Sequence, residues 1–284
     1  MTSPTWQSDA APEQSRITPM GWIRIAVRGL LVGIVTFGCL GLLLIVRLIE
    51  RPLFGLHRPV TPFITQFVCI TAFWFMGLKR RVIGRPMAEN GAIVANHGSW
   101  LDIFALNASK RIYFVSKAEV AGWPGIGWLA RATGTVFITR RSTEAKTHKS
   151  IFEDRIRAGH KLLFFPEGTS TDTQRVLPFK PTLFAAFFNE DIASEMYMQP
   201  VTVVYHAPPG ADPRFYGWWG DMAFGTHLLK TLAASPQGCV DVIYHDPVRV
   251  ADFADRKALS QHLERIVRAG LPFEQDDAKA GHPE

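Results

Sequence analysis

Cysteine is scarce in this chain. The three residues, Cys39, Cys69 and Cys239, stand far apart, with neither metal-ligand spacing nor an even pairing framework. A disulfide-stapled scaffold is thereby excluded, and nothing points to an oxidising compartment. Two of the three sit in apolar stretches, where a free thiol behaves as a small hydrophobe. No Gly-x-Ser-x-Gly turn is present, which excludes a nucleophile-elbow esterase. His-x-His and His-Glu-x-x-His are also absent, so the tight spacings that mark catalytic metal sites are missing. There is no internal repeat and no low-complexity tract. Acid is in deficit, with 31 Lys and Arg against 25 Asp and Glu, a net charge of +6. The basic residues are not gathered into a patch with interleaved aromatics, so the surplus suits an anionic membrane surface and not nucleic acid.

What the chain has is apolar length. Its 284 residues, 47% of them hydrophobic, suffice for one sizeable core and a small appendage. Residues 1–19 are polar, carry Pro4, Pro12 and Pro19, and read as a flexible leader. From Gly29 to Val46 eighteen residues carry no charge, within the roughly 17–25 needed to span a bilayer. The late start and the lack of a small-residue cleavage pattern after Val46 argue against a removed signal. A second uncharged run, Pro59 to Leu78, holds Phe63, Phe67, Phe73, Trp74 and Phe75, residues suited to a membrane interface. Arg24 and Arg28 before the first run, with Lys79, Arg80 and Arg81 after the second, fit a hairpin whose outer ends face the cytoplasm. Arg47, Arg51 and Arg58 between the runs fit instead two helices lying in the cytoplasmic leaflet. Two helices buried in a soluble core is the third reading. Residues 20–82 are therefore expected to be a membrane-associated helical segment at the cytoplasmic face of the inner membrane.

From 83 to 271 the texture changes to alternating strands and helices. Apolar strand candidates are 92–95, 112–115, 135–138, 161–165, 200–205 and 240–244; helix candidates are 99–108, 126–132, 143–158, 182–189 and 256–268. The expected fold is α/β, a mainly parallel sheet covered by helices, with sites where strands end and helices begin. Residues 272–284 read as a flexible tail.

The stretch Asn96-His97-Gly98-Ser99-Trp100-Leu101-Asp102 lies at such a junction. Ser99 is expected to cap the following helix, with Asp102 completing a variant capping box. His97, just outside the helix, can then fold its ring back onto Asp102. A histidine held by a carboxylate is fixed in tautomer and competent as a general base. The plain alternative is a capped turn with a hydrogen-bonded loop histidine. Phe165-Pro166-Glu167-Gly168-Thr169-Ser170 follows a second apolar strand, so Glu167 is expected at a strand end beside a glycine that permits close approach. The alternative there is a solvated Glu in a turn. Arg140, after the strand at 135–138, and Lys117, after that at 112–115, are candidate cations for a phosphate or carboxylate. Pro200 would shape a wall, and Trp123–Leu129 reads either as an acyl-chain groove or as core.

In combination these blocks resemble the lysophosphatidic acid acyltransferase family, the glycerolipid O-acyltransferases with H-x4-D and F-P-E-G-T motifs; the likeness covers roughly residues 80–210. The resemblance implies that His97 deprotonates the acceptor hydroxyl and that Asp102 orients it. It also implies that Arg140 and Lys117 hold the acceptor head group and that Glu167, Gly168 and Thr169 shape its site. The acyl donor implied is the thioester of acyl-ACP or acyl-CoA, with no metal and no cofactor. An N–H at Gly98–Ser99 is the candidate donor to the oxyanion. One departure stands out: where the family carries Arg after the Thr of the third motif, this chain has Ser170. The run Thr169 to Lys180 resembles the lyso-ornithine lipid branch, with a zwitterionic acceptor, and 1-acyl-sn-glycerol-3-phosphate is the second candidate. The competing readings are a non-catalytic lipid-binding scaffold and a hydrolase using His97, Asp102 and Glu167 as metal ligands.

Overall fold

The computed structural model describes residues 6–8, 16–139, 145–188 and 194–272. The first apolar run forms helix α1, Pro19–Phe54, started by Thr18, whose hydroxyl accepts the Gly21 N–H at 3.1 Å. The helix continues past the uncharged run because Arg47 pairs with Glu50 (3.2 Å). The Glu50 carboxylate in turn accepts from the N–H groups of Val60 and Thr61 and from the Thr61 hydroxyl. Charges between the two runs thus build the turn into helix α2, Thr61–Met76. Among the described residues α1 is the one helix long and apolar enough to cross a membrane, and only 11% of its most apolar window is buried. That exposure sets aside the soluble-core reading of α1. Helix α2, at 16 residues, reaches about 24 Å, short of the ~30 Å hydrocarbon core. Its lengthwise neighbours are α1 and the first helix of the α/β unit, against which Cys69, Ala72, Phe73 and Met76 are buried. A hairpin of two crossing helices is not what these lengths support.

The α/β unit runs β1 (Lys79–Ile83), β2 (Gly91–Ala95), α3 (Leu101–Ser109), β3 (Tyr113–Lys117), α4 (Ile126–Thr133), β4 (Val136–Ile138), α5 (Ala145–Arg157), β5 (Leu162–Phe164), β6 (Tyr197–His206), α6 (Phe224–Ala233), β7 (Cys239–Tyr244), β8 (Val248–Arg249) and α7 (Arg256–Ala269). The strand order is β1-β7-β6-β2-β5-β3-β4, with β8 beside β6. β2 pairs in parallel with β5 and β6, β3 with β4 and β5, and β1 with β7; β7 and β8 run antiparallel to β6. The expected mainly parallel sheet is present. Every residue of β2 is buried, and the pleat divides them. Ile93 and Ala95 join Phe73, Met76, Leu101 and Leu106 on one face, while Ala92 and Val94 join Phe152, Ile156, Leu259 and Leu263 on the other. The parallel pairings bring the C-terminal ends of β2, β3, β4, β5 and β6 to one edge.

Several expectations change. The sheet starts at Lys79, ahead of the boundary expected at 83. Lys79–Arg81, expected as the basic flank of a membrane segment, form a strand whose Arg81 grips Asp241 at 2.6 and 2.7 Å and whose Arg80 donates to Ser109 (2.8 Å). The helix expected at 182–189 is a tighter 3-10 turn, Pro181–Phe187, opened by its proline. Helix α6 and strand β8 were not anticipated. The leader and tail lie mostly outside the described residues, but Trp6 and Gln7 bond to the loops at the C-terminal edge of the sheet.

Candidate active site

His97 leaves β2 at that edge and is fixed from four directions. Its N–H donates to Glu167 Oε1 (2.7 Å), and its carbonyl accepts from the Thr171 N–H (2.9 Å). The ring stacks on Phe165, 4.0 Å between centroids and 11° from parallel. Nδ1 lies 2.7 Å from Asp102 Oδ2, and the side chain keeps 20% of its surface exposed. With Nδ1–H donating to the carboxylate, Nε2 is the nitrogen left to accept a proton.

Asp102, in the first turn of α3, is fully buried, which costs heavily unless its oxygens are satisfied. Oδ2 also accepts from the N–H groups of Gly98 (2.9 Å) and Ser99 (3.0 Å), and Oδ1 accepts from the Tyr205 hydroxyl (2.7 Å). Burial, then the Asp102 charge, keep the Tyr205 hydroxyl well above its ordinary pKa, so it remains a donor. Two sequence expectations are corrected by this arrangement. The helix begins after Trp100, and Ser99 makes no strong cap, its hydroxyl standing 3.4 Å from the Leu101 N–H. The Gly98 and Ser99 N–H groups are spent on Asp102, so they are not the oxyanion donors.

Glu167 is not a carboxylate presented to solvent. It is 1% exposed, and Oε2 accepts from the Leu177 N–H (2.7 Å) while Oε1 holds His97. Burial pushes it up to about 8 against the pull of those two N–H donors, with the charge of Asp102 adding to the rise. Its place is that of a strut between two loops. Gly168 has φ +73°, and the Lys180 side chain crosses it so closely that a Cβ would meet Nζ at 2.7 Å. Thr169 Oγ1 accepts the Trp6 N–H (3.3 Å). Lys117 ends β3 at the same edge, two strands from β2. Arg140 lies outside the described residues. Pro200 pairs with Val94 inside the sheet, and exposed Trp123 and Trp128 rule out core packing for their stretch as a whole.

The metal-hydrolase reading needs carboxylate oxygens turned toward an ion. All four oxygens of Asp102 and Glu167 are turned to N–H or O–H donors instead. Among the described residues, the one group of three whose ligand atoms all lie within 4.8 Å of one another is His206, Cys239 and Asp241 on the β6–β7 pair, where Arg81 holds both Asp241 oxygens.

The sequence profile of the family described as Acyltransferase matches residues 79–204. A lyso-ornithine lipid O-acyltransferase from Rhodobacter capsulatus is 56% identical over 271 residues, 95% of this chain and 98% of the relative. The chain belongs to the acyltransferase family. A second lyso-ornithine lipid O-acyltransferase, from Brucella abortus, is 37% identical over 69% of this chain and 76% of the relative. A 1-acyl-sn-glycerol-3-phosphate acyltransferase from Neisseria meningitidis is 33% identical over the same shares. The crystal structure of the 1-acyl-sn-glycerophosphate acyltransferase from Thermotoga maritima shares the fold, with a TM-score of 0.64 at 19% identity, over 93% of this chain and 98% of that one. This acyltransferase is accordingly an enzyme acting on lysolipids, and the non-catalytic scaffold reading is set aside. Sequence reasoning missed Tyr205 and the leader's Trp6, and it placed Arg175 only within the run that resembles the lyso-ornithine lipid branch. A hydroxyl within the apolar run Val201–Tyr205 was the only signal for the first.

Proposed function

We propose that this acyltransferase moves a fatty acyl group from acyl-ACP or acyl-CoA to lyso-ornithine lipid, with 1-acyl-sn-glycerol-3-phosphate as second acceptor. The 2.7 Å contact between His97 Nδ1 and buried Asp102 carries the chemistry. Nε2 takes the proton of the acceptor hydroxyl as its oxygen attacks the thioester carbonyl. The tetrahedral intermediate expels the thiolate, which takes the proton back from His97; an ester and a thiol result, and Asp102 holds the imidazolium in between. A thioester is already activated, so no acyl-enzyme is needed. The high identity to the Rhodobacter capsulatus enzyme and the neutral Ser170 support the ornithine acceptor. Helix α1 would anchor the catalytic unit at the cytoplasmic face of the inner membrane, where a +6 chain meets anionic lipid.

The test uses membranes containing the intact protein or a His97→Ala variant, each acceptor supplied separately with either donor. Diacyl product from lyso-ornithine lipid, falling by at least about 10²-fold in the variant, is the expected result. Full activity of the variant would remove His97 from the chemistry, and preference for the phosphate acceptor would reverse the order of the two acceptors.

A further inference from the structure

Trp6 returns to the site from the far side of α1 in sequence. Besides its bond to Thr169, its ring lies 6.2 Å from that of Trp219, and the Arg175 guanidinium sits 5.0 Å over it. Gln7, next to it, reaches Asp221 at 3.4 Å. Arg175 is held as a fork, Nε and Nη2 at 3.1 and 3.0 Å from the two oxygens of Asp172. The Asp172 side chain is fully buried, whereas that of Arg175 remains 49% exposed. The same loop touches the reacting histidine: Thr171 donates its N–H to the His97 carbonyl and its hydroxyl to the Arg175 carbonyl (3.3 Å). On the other rim Trp218, adjoining Trp219, donates its N–H to the Gly98 carbonyl (2.9 Å).

A buried carboxylate, itself fixed by the Gln174 N–H at 3.2 Å from Oδ1, sets the plane and heading of the half-exposed guanidinium it pairs with. The fork leaves Nη1 for a second anion, and the Trp6 ring keeps water from one face of it. Because Asp172 already balances its charge, Arg175 offers planar geometry with little net field. That suits a singly charged carboxylate and disfavours a phosphate dianion, which Asp172 repels.

We propose that Arg175, oriented by Asp172 and covered by Trp6, binds the carboxylate of the acceptor's ornithine head group and sets acceptor specificity. This rests on lyso-ornithine lipid being the acceptor. Asp221, exposed beside Gln7, stands at the same rim, an acid of the kind an ammonium group takes.

The experiment compares lyso-ornithine lipid with its counterpart in which putrescine replaces ornithine, the same ammonium without the carboxylate. The full-length protein is used in membranes. The intact enzyme should prefer the ornithine acceptor by about tenfold or more in kcat/KM, mainly through KM. Arg175→Gln should bring the ratio close to one by lowering the ornithine acceptor alone, and Trp6→Ala should narrow it. Damage to the loop would lower both acceptors together. Should Arg175→Gln fail to fold, Arg175→Lys keeps the pairing with Asp172 but loses the fork, and must still narrow the ratio. An intact enzyme without preference, or folded variants that keep the original ratio, would overturn the proposal. An intact enzyme that acylates 1-acyl-sn-glycerol-3-phosphate but neither of these lipids would instead overturn the acceptor reading beneath it.

Discussion

Two carboxyl groups lie against His97, and their surroundings give them different work. Asp102 meets four donors and no acceptor, the setting of an acceptor-only carboxylate ready for an imidazolium. Glu167, pushed up to about 8 by burial, stays largely neutral near pH 7 and so adds little second negative charge beside Asp102. The consequence is a stability slope. An unfolded chain releases the Glu167 proton near 4.5, while the native protein keeps it until about 8. Through that window the native state binds more protons, so stability should fall as pH rises. Glu167→Gln, neutral at every pH, should flatten this part of the profile. It should also cost about 1–3 kcal/mol at the acid end, because its amide group faces a backbone N–H. Urea midpoints of both proteins across the window read the difference. Parallel slopes would mean that Glu167 is ionised in the folded state.

At the scale of elements, the turn between β2 and α3 is locked to the loop after β5. Gly98 rests on Thr173, whose backbone is left-handed at φ 69°, the one such non-glycine among the described residues. A Cβ on Gly98 would come within 2.6 Å of Thr173 Cγ2. Gly98→Ala should therefore destabilise by about 1–3 kcal/mol and shift the Thr171 contact on His97, lowering turnover by about 10²-fold. Turnover and thermal unfolding measured on the same preparation check this. A variant with wild-type turnover would show that the loop accommodates the methyl without moving His97. The His97–Asp102 contact was legible because it spans five residues at a recognisable junction. Tyr205, 103 residues from Asp102, and Trp6, 163 from Thr169, were not, since no local pattern encodes such pairings. The six apolar strands announced themselves by composition. β1 did not, because an edge strand reading Lys-Arg-Arg-Val-Ile keeps its charges outward and looks like a membrane flank.

For the whole molecule, the question is how the proposed His97–Asp102 centre meets a lipid. Helix α1 is fixed to the catalytic unit near its start, where Arg28 donates to the carbonyls of Leu232 (2.8 Å) and Ala234 (2.7 Å) at the end of α6. A cation on the last carbonyls of a helix is favoured by the helix dipole as well as by the hydrogen bonds. Further along, Leu30, Ile34, Ile45 and Leu48 are each more than half exposed, an apolar face larger than a soluble monomer shows. α1 thus fixes the site relative to a bare apolar face, the face that on the proposed reading meets the acyl chains. An Arg at the centre of a bilayer helix costs about 2.5–3.5 kcal/mol, so Ile34→Arg with Ile45→Arg should release the protein from lipid. The intact protein should float with liposomes and the double variant should not. Turnover should separate in the same way: the variant keeps activity on acceptor presented in detergent micelles and loses it on acceptor embedded in vesicles. Equal flotation of the two proteins would mean that this face does not meet the bilayer, and loss of both activities would mean that α1 supports the catalytic unit itself.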